Sequence, residues 1–494
     1  MRGPGFAPRV YLLALIARII PVLAARGLGI GLDDMLQYDM LARSLAAGNG
    51  YRWYARADAA RVAPYVDLDL AGAKGYDPER GLESTFRAPL YPAFLALVYL
   101  VFGSGEARFT AARAVQAVLL GAPLAPLTYF AARKYLALRA SPLITTMEAS
   151  RDESGARAAA IAIALYPILL LYPLGLGTEN LFFVLVLLSV ILLLTAWTKP
   201  TPVVEMAAGL ALGLSALTRS VILPFCLLAV LWLWRYVSWR AAGMSALALA
   251  AVTLPWVARN TRLHGQLTGI ETSLGYNMYL GYHPQGDGSF VFGPSLDLLP
   301  ILDDAERDRV GMAAAREFIR SRPDRLPGLA WNRLGFFFGL EKRAIVYFYS
   351  NNLVGHMDFI PLLILLILLL LPFVLLSLSA ALGLALLRGR HPVDLLLALL
   401  FAAYLLPHVL ILAEDRFHLL LVPFMAMMGG VFWSQGARAL LLRWKESSTG
   451  RLAVCTALVV CALLAANWGA ELHRDSAKLG AVLGADGNRT SYPY

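Results

Sequence analysis

Apolar runs recur along almost the whole chain, separated by short polar punctuation. Those near 8–26, 109–132, 157–173, 179–197, 203–218, 221–236, 241–257, 359–387, 393–412, 417–433 and 452–468 read as spanning helices, several of them reaching the ~20 residues a crossing needs. Residues 184–194 and 362–371 are apolar on every helical face, which a one-sided soluble helix is not. The pattern predicts an all-α polytopic membrane protein of roughly eleven to thirteen transmembrane helices. Two hydrophilic stretches interrupt it, 28–87 and 258–358. The second contains an amphipathic pattern over 303–320, with Asp303 and Asp304 at its start and Arg316 and Arg320 near its end, the polarity that a helix dipole favours. Pro323, Pro327 and an aromatic-rich segment, 331–340, follow.

The segment 90–102 is apolar but short, entered through Pro89 and closed by Gly103-Ser104-Gly105-Glu106. Counting it as a crossing breaks the alternation of sides, so it is expected to lie in or along the outer leaflet, covered by protein. A non-crossing hairpin over 203–236 is the alternative. The resulting organisation is a first transmembrane helix (1–27), a first external loop with juxtamembrane helices (28–108), a transmembrane core (109–257), a second external loop (258–358), C-terminal transmembrane helices (359–468) and an external tail (469–494).

Composition sharpens this picture. The 494 residues are 59% hydrophobic and only 15% charged, with a mean hydropathy of +0.62, whereas a soluble domain carries about 25% charged residues. A net charge of +10 raises the question of nucleic acid, but the basic residues flank apolar segments and form no single stripe, so no nucleic-acid partner is expected. Arg133-Lys134 with Arg139, Lys199, Arg235 with Arg240, Arg388 with Arg390, and Arg438 through Lys445 mark the cytoplasmic side. Both large hydrophilic stretches then face outward and the N-terminus inward. The stretch 10–25 has the Arg-bearing start of a signal sequence, but so many later helices read better with a retained signal-anchor. Cys226, Cys455 and Cys461 all lie in apolar runs, without disulfide or metal-ligand spacing.

The polar residues worth chemistry gather at helix ends. Asp33-Asp34 closes the first span and is followed by Tyr38 and Arg43; Phe86-Arg87-Ala88-Pro89-Leu90-Tyr91-Pro92 ends the same loop. Carboxylates at a bilayer surface are costly unless they serve a function. Capping the helix that begins near residue 35 is the ordinary role for one of them, and it is assigned to Asp33. Tyr38 lines a pocket or anchors the interface; Arg87 binds an anion or snorkels; Glu179 opens an apolar helix, where a carboxylate is also a plain dipole partner. Arg219 and Arg416 either complete an anion cradle or pair with nearby acids such as Asp415. His418 sits among apolar neighbours, where a satisfied interfacial histidine is the ordinary reading. Asp67-Leu68-Asp69 has the D-x-D form of a metal site but lies in an irregular loop and reads as solvated surface.

Asp33-Asp34 with Tyr38, the string from Leu41 to Tyr51, and Arg87-Ala88-Pro89-Leu90-Tyr91-Pro92 together resemble the GT-C glycosyltransferases, closest to the protein O-mannosyltransferase and lipid A aminoarabinose transferase branch. Thr178-Glu179-Asn180, Leu217-Thr218-Arg219-Ser220, Glu414-Asp415-Arg416-Phe417-His418 with Val422-Pro423, and the string from Gly275 to Pro284 extend the likeness over most of the chain. The resemblance implies a GT-C fold with two large extracytoplasmic loops, in a bacterial plasma membrane, and an inverting transfer of sugar from a polyprenyl-monophosphate donor to an extracytoplasmic protein, lipid or glycan. It places the catalytic base on Asp34, with Asp33 the near alternative, and makes Glu179 a second acidic residue of the site. Arg87 falls at the family's phosphate-binding basic position, with Arg for the usual Lys and Ala88 for a Pro; a guanidinium still grips phosphate bidentately. Tyr38, Arg219, Arg416 and His418 fall around the donor, and Asn277, Tyr279 and His283 in the substrate loop. No cofactor and no metal site are expected, a divalent ion being left open because another GT-C branch uses one. Two other readings compete: a lipid-linked glycan flippase, which would favour carboxylates at mid-membrane, and a polyprenyl-diphosphate-dependent ligase or polymerase.

Overall fold

The computed structural model describes residues 5–139 and 146–490 and is almost entirely helical. Its one sheet among the described residues pairs Arg52–Trp53 with Leu82–Glu83, antiparallel, within the first hydrophilic stretch. Among the described residues seven helices are long and apolar enough to cross a membrane: Phe6–Ala24, Arg108–Arg139, Glu179–Thr198, Trp239–His264, Phe359–Leu386, Pro392–Leu410 and Ser448–Arg474. The chain is an all-α polytopic membrane protein. Leu452, Leu458, Val459 and Leu463 on the last of these helices, and Ile360, Ile364, Ile367 and Leu368 on Phe359–Leu386, are all exposed, a continuous apolar surface that suits lipid and not water.

The sequence suggested eleven to thirteen crossings; by length and composition the structure supplies seven, or eight if the pair Ser150–Ala164 and Pro167–Leu174, bent by 51°, is one span. The remaining apolar runs do form helices, but short ones. Pro202–Thr218 and Ser220–Tyr236 have at most 17 residues, about 26 Å at 1.5 Å per residue, at the lower limit of what spans a ~30 Å hydrocarbon core. Val422–Gln435 is shorter still, and Val422 through Val431 are all buried, so protein rather than lipid surrounds it. Leu90–Phe102 has 13 residues and stops at Gly103 with φ of 84°, a length of about 20 Å, too short to cross a ~30 Å hydrocarbon core. Leu97, Leu100, Val101 and Phe102 are its exposed face.

The bend in the pair has a specific cause. Pro167 cannot continue the preceding helix, which leaves carbonyls of the last turn without partners. Arg18, fully buried in the first span, donates to Ala164 O at 2.9 Å and Ile163 O at 3.0 Å. Its side chain passes so close to Gly121 that a Cβ there would sit 2.8 Å from Arg18 Cδ, and residues 117–121 widen into a π turn at that level. The buried arginine thus satisfies a broken helix through its two Nη atoms, while its Nε has no partner.

Two helices outside the candidate spans position the site. Helix Asp34–Ala46 starts with Asp33 as its cap, the carboxylate accepting from Met35 N at 2.9 Å; this is the cap role the sequence assigned to it. Helix Asp304–Ser321 forms over the predicted amphipathic stretch, with Asp303 accepting from Ala305 N and Glu306 N. Its first residue, Asp304, is 2% exposed and accepts from Ser84 Oγ (2.8 Å), Thr85 N (2.7 Å) and Phe86 N (3.1 Å), while its other oxygen pairs with Arg307. One buried carboxylate therefore fixes the backbone immediately before Arg87.

Candidate active site

Arg87 leaves that fixed loop and reaches helix Asp34–Ala46. It ion-pairs with Asp34 and donates from Nε to Gln37 Oε1 at 2.7 Å. Gln37 lies one turn from Asp34, the spacing at which two side chains share a helical face. The Arg87 guanidinium lies 5.4 Å from the Tyr38 ring centroid and 5.0 Å from that of Phe86, close enough for aromatic faces to support its charge. Tyr38 is buried and meets Tyr91 edge-on at 5.2 Å.

A second ion pair arrives from the membrane helices. Glu179, 6% exposed at the start of its span, accepts from Arg219 Nη1 at 2.7 Å, and Thr178 Oγ1 lies 3.2 Å from the same nitrogen. Arg219 is the C-terminal cap of Pro202–Thr218, extended at the break before Leu223–Tyr236. Gly177 makes room for this carboxylate, since a Cβ there would lie 2.9 Å from Glu179 Oε2.

Arg416 joins the two pairs. Its Nη2 lies 3.7 Å from Asp34 Oδ2 and its Nη1 3.9 Å from Glu179 Oε1, both beyond hydrogen-bond length. Its Nε is 2.8 Å from Glu414 Oε2 yet off the direction of a hydrogen bond. Glu414 is itself held by Arg343 at 2.6 Å. Arg416 is thus attracted by three carboxylates and well bonded to none of them.

Asp34, Tyr38, Glu179 and Arg416 border a cleft enclosing about 1000 Å³ of empty space, part of it open to solvent, with Arg87 and Arg219 outside its lining. Asp34, Tyr38, Glu179, Glu341, Asp415 and Arg416 supply its polar wall; Tyr172, Tyr347 and Phe348 supply aromatic surface. Burial raises the Asp34 carboxyl, but Arg87, then Arg416, Arg219 and Arg343, outweigh it and hold the group at about 2. Asp415 goes the other way: burial lifts it to about 6 against the pull of Arg343.

The structure brings Asp33, Asp34, Tyr38, Arg87, Glu179, Arg219 and Arg416 together, although they span nearly 400 positions of sequence. It does not bring in the rest. His418 is fully buried behind the cleft, stacked on Phe373 at 4.0 Å, with Nδ1 on Phe337 O and Nε2 on Glu341; it reaches the cleft only through Glu341, so direct donor contact is corrected to support from behind. Asn277, Tyr279 and His283 also stand apart, because helix Leu274–Tyr282 packs on Asp304–Ser321. Tyr279 there bonds Asp297 at 2.7 Å and packs with His283 against Phe318, and Asn277 is half-buried on the same helix, outside the cleft's lining. The neighbour that does face Arg87 is Tyr276, edge-on to Phe86 at 5.5 Å. The acids expected near Arg219 and Arg416 are Glu179 and Glu414, with Asp415 left to the cleft wall. Asp67 and Asp69 are exposed, and Asp69 accepts from Gly72 N within its own turn.

Sequence reasoning missed Arg343, Glu341, Gln37 and Tyr276. The signal for the first two was a Glu341-Lys342-Arg343 triplet at the end of the aromatic segment, where three adjacent charges mark a departure from apolar surroundings. Among the described residues no group of three His, Cys, Asp or Glu side chains has the arrangement to hold a metal ion.

Two solved structures are similar to this chain in outline: crystal structures of ArnT from Cupriavidus metallidurans, one bound to undecaprenyl phosphate and one in the apo state. Each aligns with a TM-score of 0.37 and 13% identity over 88% of this chain, covering 80% and 79% of the respective ArnT chains. No family profile and no curated protein matches the sequence. A likeness of that depth carries no functional argument, and function is read from this chain's own geometry.

Proposed function

We propose that this chain is an inverting membrane glycosyltransferase of the GT-C type, which moves a sugar from a polyprenyl-monophosphate carrier to an acceptor hydroxyl at the extracytoplasmic face of a bacterial plasma membrane. The observation that carries this reading is Arg416. A guanidinium has five donors in a fixed fork, and here it sits on a cleft wall, surrounded by three carboxylates, with its hydrogen-bonding capacity unspent. A phosphate is the group whose geometry suits that fork. Arg87 and Arg219 stand on either side of it through their shared carboxylates. The apolar helices that end at this cleft supply the hydrophobic surface a polyprenyl tail requires.

The chemistry follows from competition for these arginines. While paired with Arg87 and attracted at longer range by Arg416, Asp34 is a weak base. A donor phosphate draws both guanidiniums toward itself, and the basicity of Asp34 then rises toward that of an ordinary carboxylate. The acceptor oxygen attacks the anomeric carbon as the carbon–oxygen bond to phosphate breaks; the hydroxyl proton passes to Asp34, and the lipid phosphate leaves with its charge held by the arginines. Glu179 keeps Arg219 in place and closes the site on the membrane side. The step as written uses no metal, which addition and removal of Mg²⁺ and Mn²⁺ would check directly.

The test is to incubate purified protein in detergent with a panel of radiolabelled polyprenyl-monophosphate sugars and an envelope extract as acceptor source. Label should move from the lipid to the aqueous or envelope fraction for one head group, with release of lipid phosphate. Turnover of none of them, combined with no binding of polyprenyl phosphate, would sink the reading.

A further inference from the structure

Five carboxylates line the cleft, and four of them are committed. Asp33 accepts from Met35 N at 2.9 Å, Asp34 pairs with Arg87, Glu179 accepts from Arg219 at 2.7 Å, and Glu341 accepts from Tyr166 Oη at 2.7 Å. Asp415 is the fifth. Among the described residues it has neither a hydrogen bond nor an ion pair, and its half-buried side chain keeps both oxygens open to solvent. Burial lifts its carboxyl to about 6, which leaves it largely ionised at neutral pH. An ionised group held without a partner in a partly desolvated wall is costly, and an asparagine there would avoid that cost.

The backbone explains how Asp415 is presented. Phe417 N donates to Glu414 O at 3.1 Å, which makes Asp415 and Arg416 the two central residues of a tight turn. Their Cα atoms are ~3.8 Å apart across the peptide bond, and both residues line the same cleft. The turn is pinned at both ends. On one side Arg343 holds Glu414 at 2.6 Å, and Ala413 N donates to Gly288 O at 3.3 Å. On the other, Leu421 N donates to His418 O at 2.8 Å, and His418 stacks on Phe373. One rigid turn thus offers a guanidinium and a free carboxylate side by side.

Those two charges match the two halves of a glycosyl phosphate. The sugar is esterified to the phosphate, so wherever Arg416 takes the phosphate, the ring stands within a few bonds of it. Ring hydroxyls are donors, and an ionised carboxylate has two oxygens that only accept. A site built to accept from particular hydroxyls rejects rings that lack them or point them elsewhere.

We propose that Asp415 forms the subsite for the donor's sugar ring, its carboxylate accepting hydrogen bonds from one or two ring hydroxyls while Arg416 holds the phosphate. This rests on the glycosyltransferase reading and adds the group that recognises the sugar as distinct from the lipid phosphate. Asp415 is a specificity residue in this scheme and takes no proton from the acceptor.

The experiment compares equilibrium binding of the full chain in detergent to undecaprenyl phosphate and to undecaprenyl phosphates carrying mannose, glucose, galactose or arabinose. The wild type should bind one sugar-bearing lipid more tightly than the bare lipid phosphate. D415A should cut that sugar increment by about 10-fold, the loss of a hydrogen bond to a charged group, and D415N, a neutral acceptor of the same shape, by about 3-fold. Binding of bare lipid phosphate should stay the same or tighten, because both variants lose a negative charge beside Arg416. Asp415 supports no other side chain, so both should remain monodisperse; D415N decides the matter if D415A does not. A sugar increment unchanged in the variants overturns the subsite, as does bare-lipid binding with no increment from any sugar. Equal loss of bare-lipid and sugar-lipid binding also overturns it, since Asp415 would then only shape the turn. Failure of the wild type to bind any of these lipids instead overturns the glycosyltransferase reading itself.

Discussion

Asp34 and Asp39 lie five positions apart on one helix, and each meets arginines, yet they are built for opposite purposes. Asp39 is fully buried. Its oxygens accept from Tyr99 (2.9 Å), Arg108 Nε (2.8 Å), Arg108 Nη2 (3.1 Å) and Arg43 (2.9 Å), and Arg43 goes on to Asp58. Every acceptor site is used at good length, and the cluster ties Asp34–Ala46 to Leu90–Phe102 and Arg108–Arg139. The Asp34 side chain is 38% exposed to the cleft, and Arg416 stands off at 3.7 Å. The difference teaches that an ion pair is not itself a sign of a site. What marks the Asp34 cluster is arginine capacity left unspent beside open space, whereas the Asp39 cluster is saturated and closed.

The contrast breaks first under isosteric neutralisation of Asp34. Asp34→Asn keeps shape and removes charge and proton-accepting ability, so transfer should fall about 10²–10⁴-fold with lipid-donor binding largely kept. Asp33→Asn, which removes only a cap, should leave most activity. Measured rates with both variants, after checking each by size exclusion, decide it; normal turnover by Asp34→Asn would make that cluster structural as well.

Asp39→Asn should do the reverse. Leaving the partly buried Arg108 and Arg43 with an incomplete partner at a fully buried position costs at most about 3–5 kcal/mol, since Arg43 keeps Asp58, so the variant should lose thermal stability, and the folded fraction should have normal specific activity. A stable but inactive Asp39→Asn protein would erase the distinction between the two clusters.

Arg87→Ala comes next in size. Loss of a charge-assisted contact to phosphate costs about 1.5–3 kcal/mol, which should appear as weaker binding of undecaprenyl phosphate and slower transfer in a well-folded protein. Near-normal affinity would reduce Arg87 to a support for Asp34.

The smallest effect concerns Asp415. Its folded carboxyl is lifted to about 6 by burial, above the range near 4 of an unfolded chain. The folded state then holds a proton that the unfolded state has lost between about pH 4 and pH 6, so this group's contribution declines as pH rises through that window. Asp415→Asn has no such titration. Its melting temperature should gain on the wild type by a few degrees from about pH 4 to about pH 7, and a gap that does not change with pH would show that Asp415 is ordinarily ionised.

Much of this was legible in one dimension. Apolar runs marked every membrane helix because lipid and core both demand hydrophobic length. The caps Asp33 and Asp303 and the amphipathic 303–320 stretch were readable because they depend on near neighbours alone. Of the seven proposed site residues that converge, Asp33, Asp34, Glu179, Arg219 and Arg416 sit at helix ends, where polar groups beside an apolar run stand out. His418, Asn277, Tyr279 and His283 were misplaced because a side chain's direction depends on what its helix packs against, which sequence spacing does not specify.

The sequence by itself therefore determined the solvent of this protein, its helices, its caps and the residues that bear charge at helix ends. Only the tertiary structure decided which apolar runs are long enough to cross and which are core, because burial of Val422–Gln435 depends on its neighbours. It alone decided that Arg416 keeps its donors unspent while Arg108 does not, and that one buried oxygen of Glu341 has no partner. Those are distances between residues far apart in the chain, and a hydrogen bond is made or missed within a few tenths of an ångström.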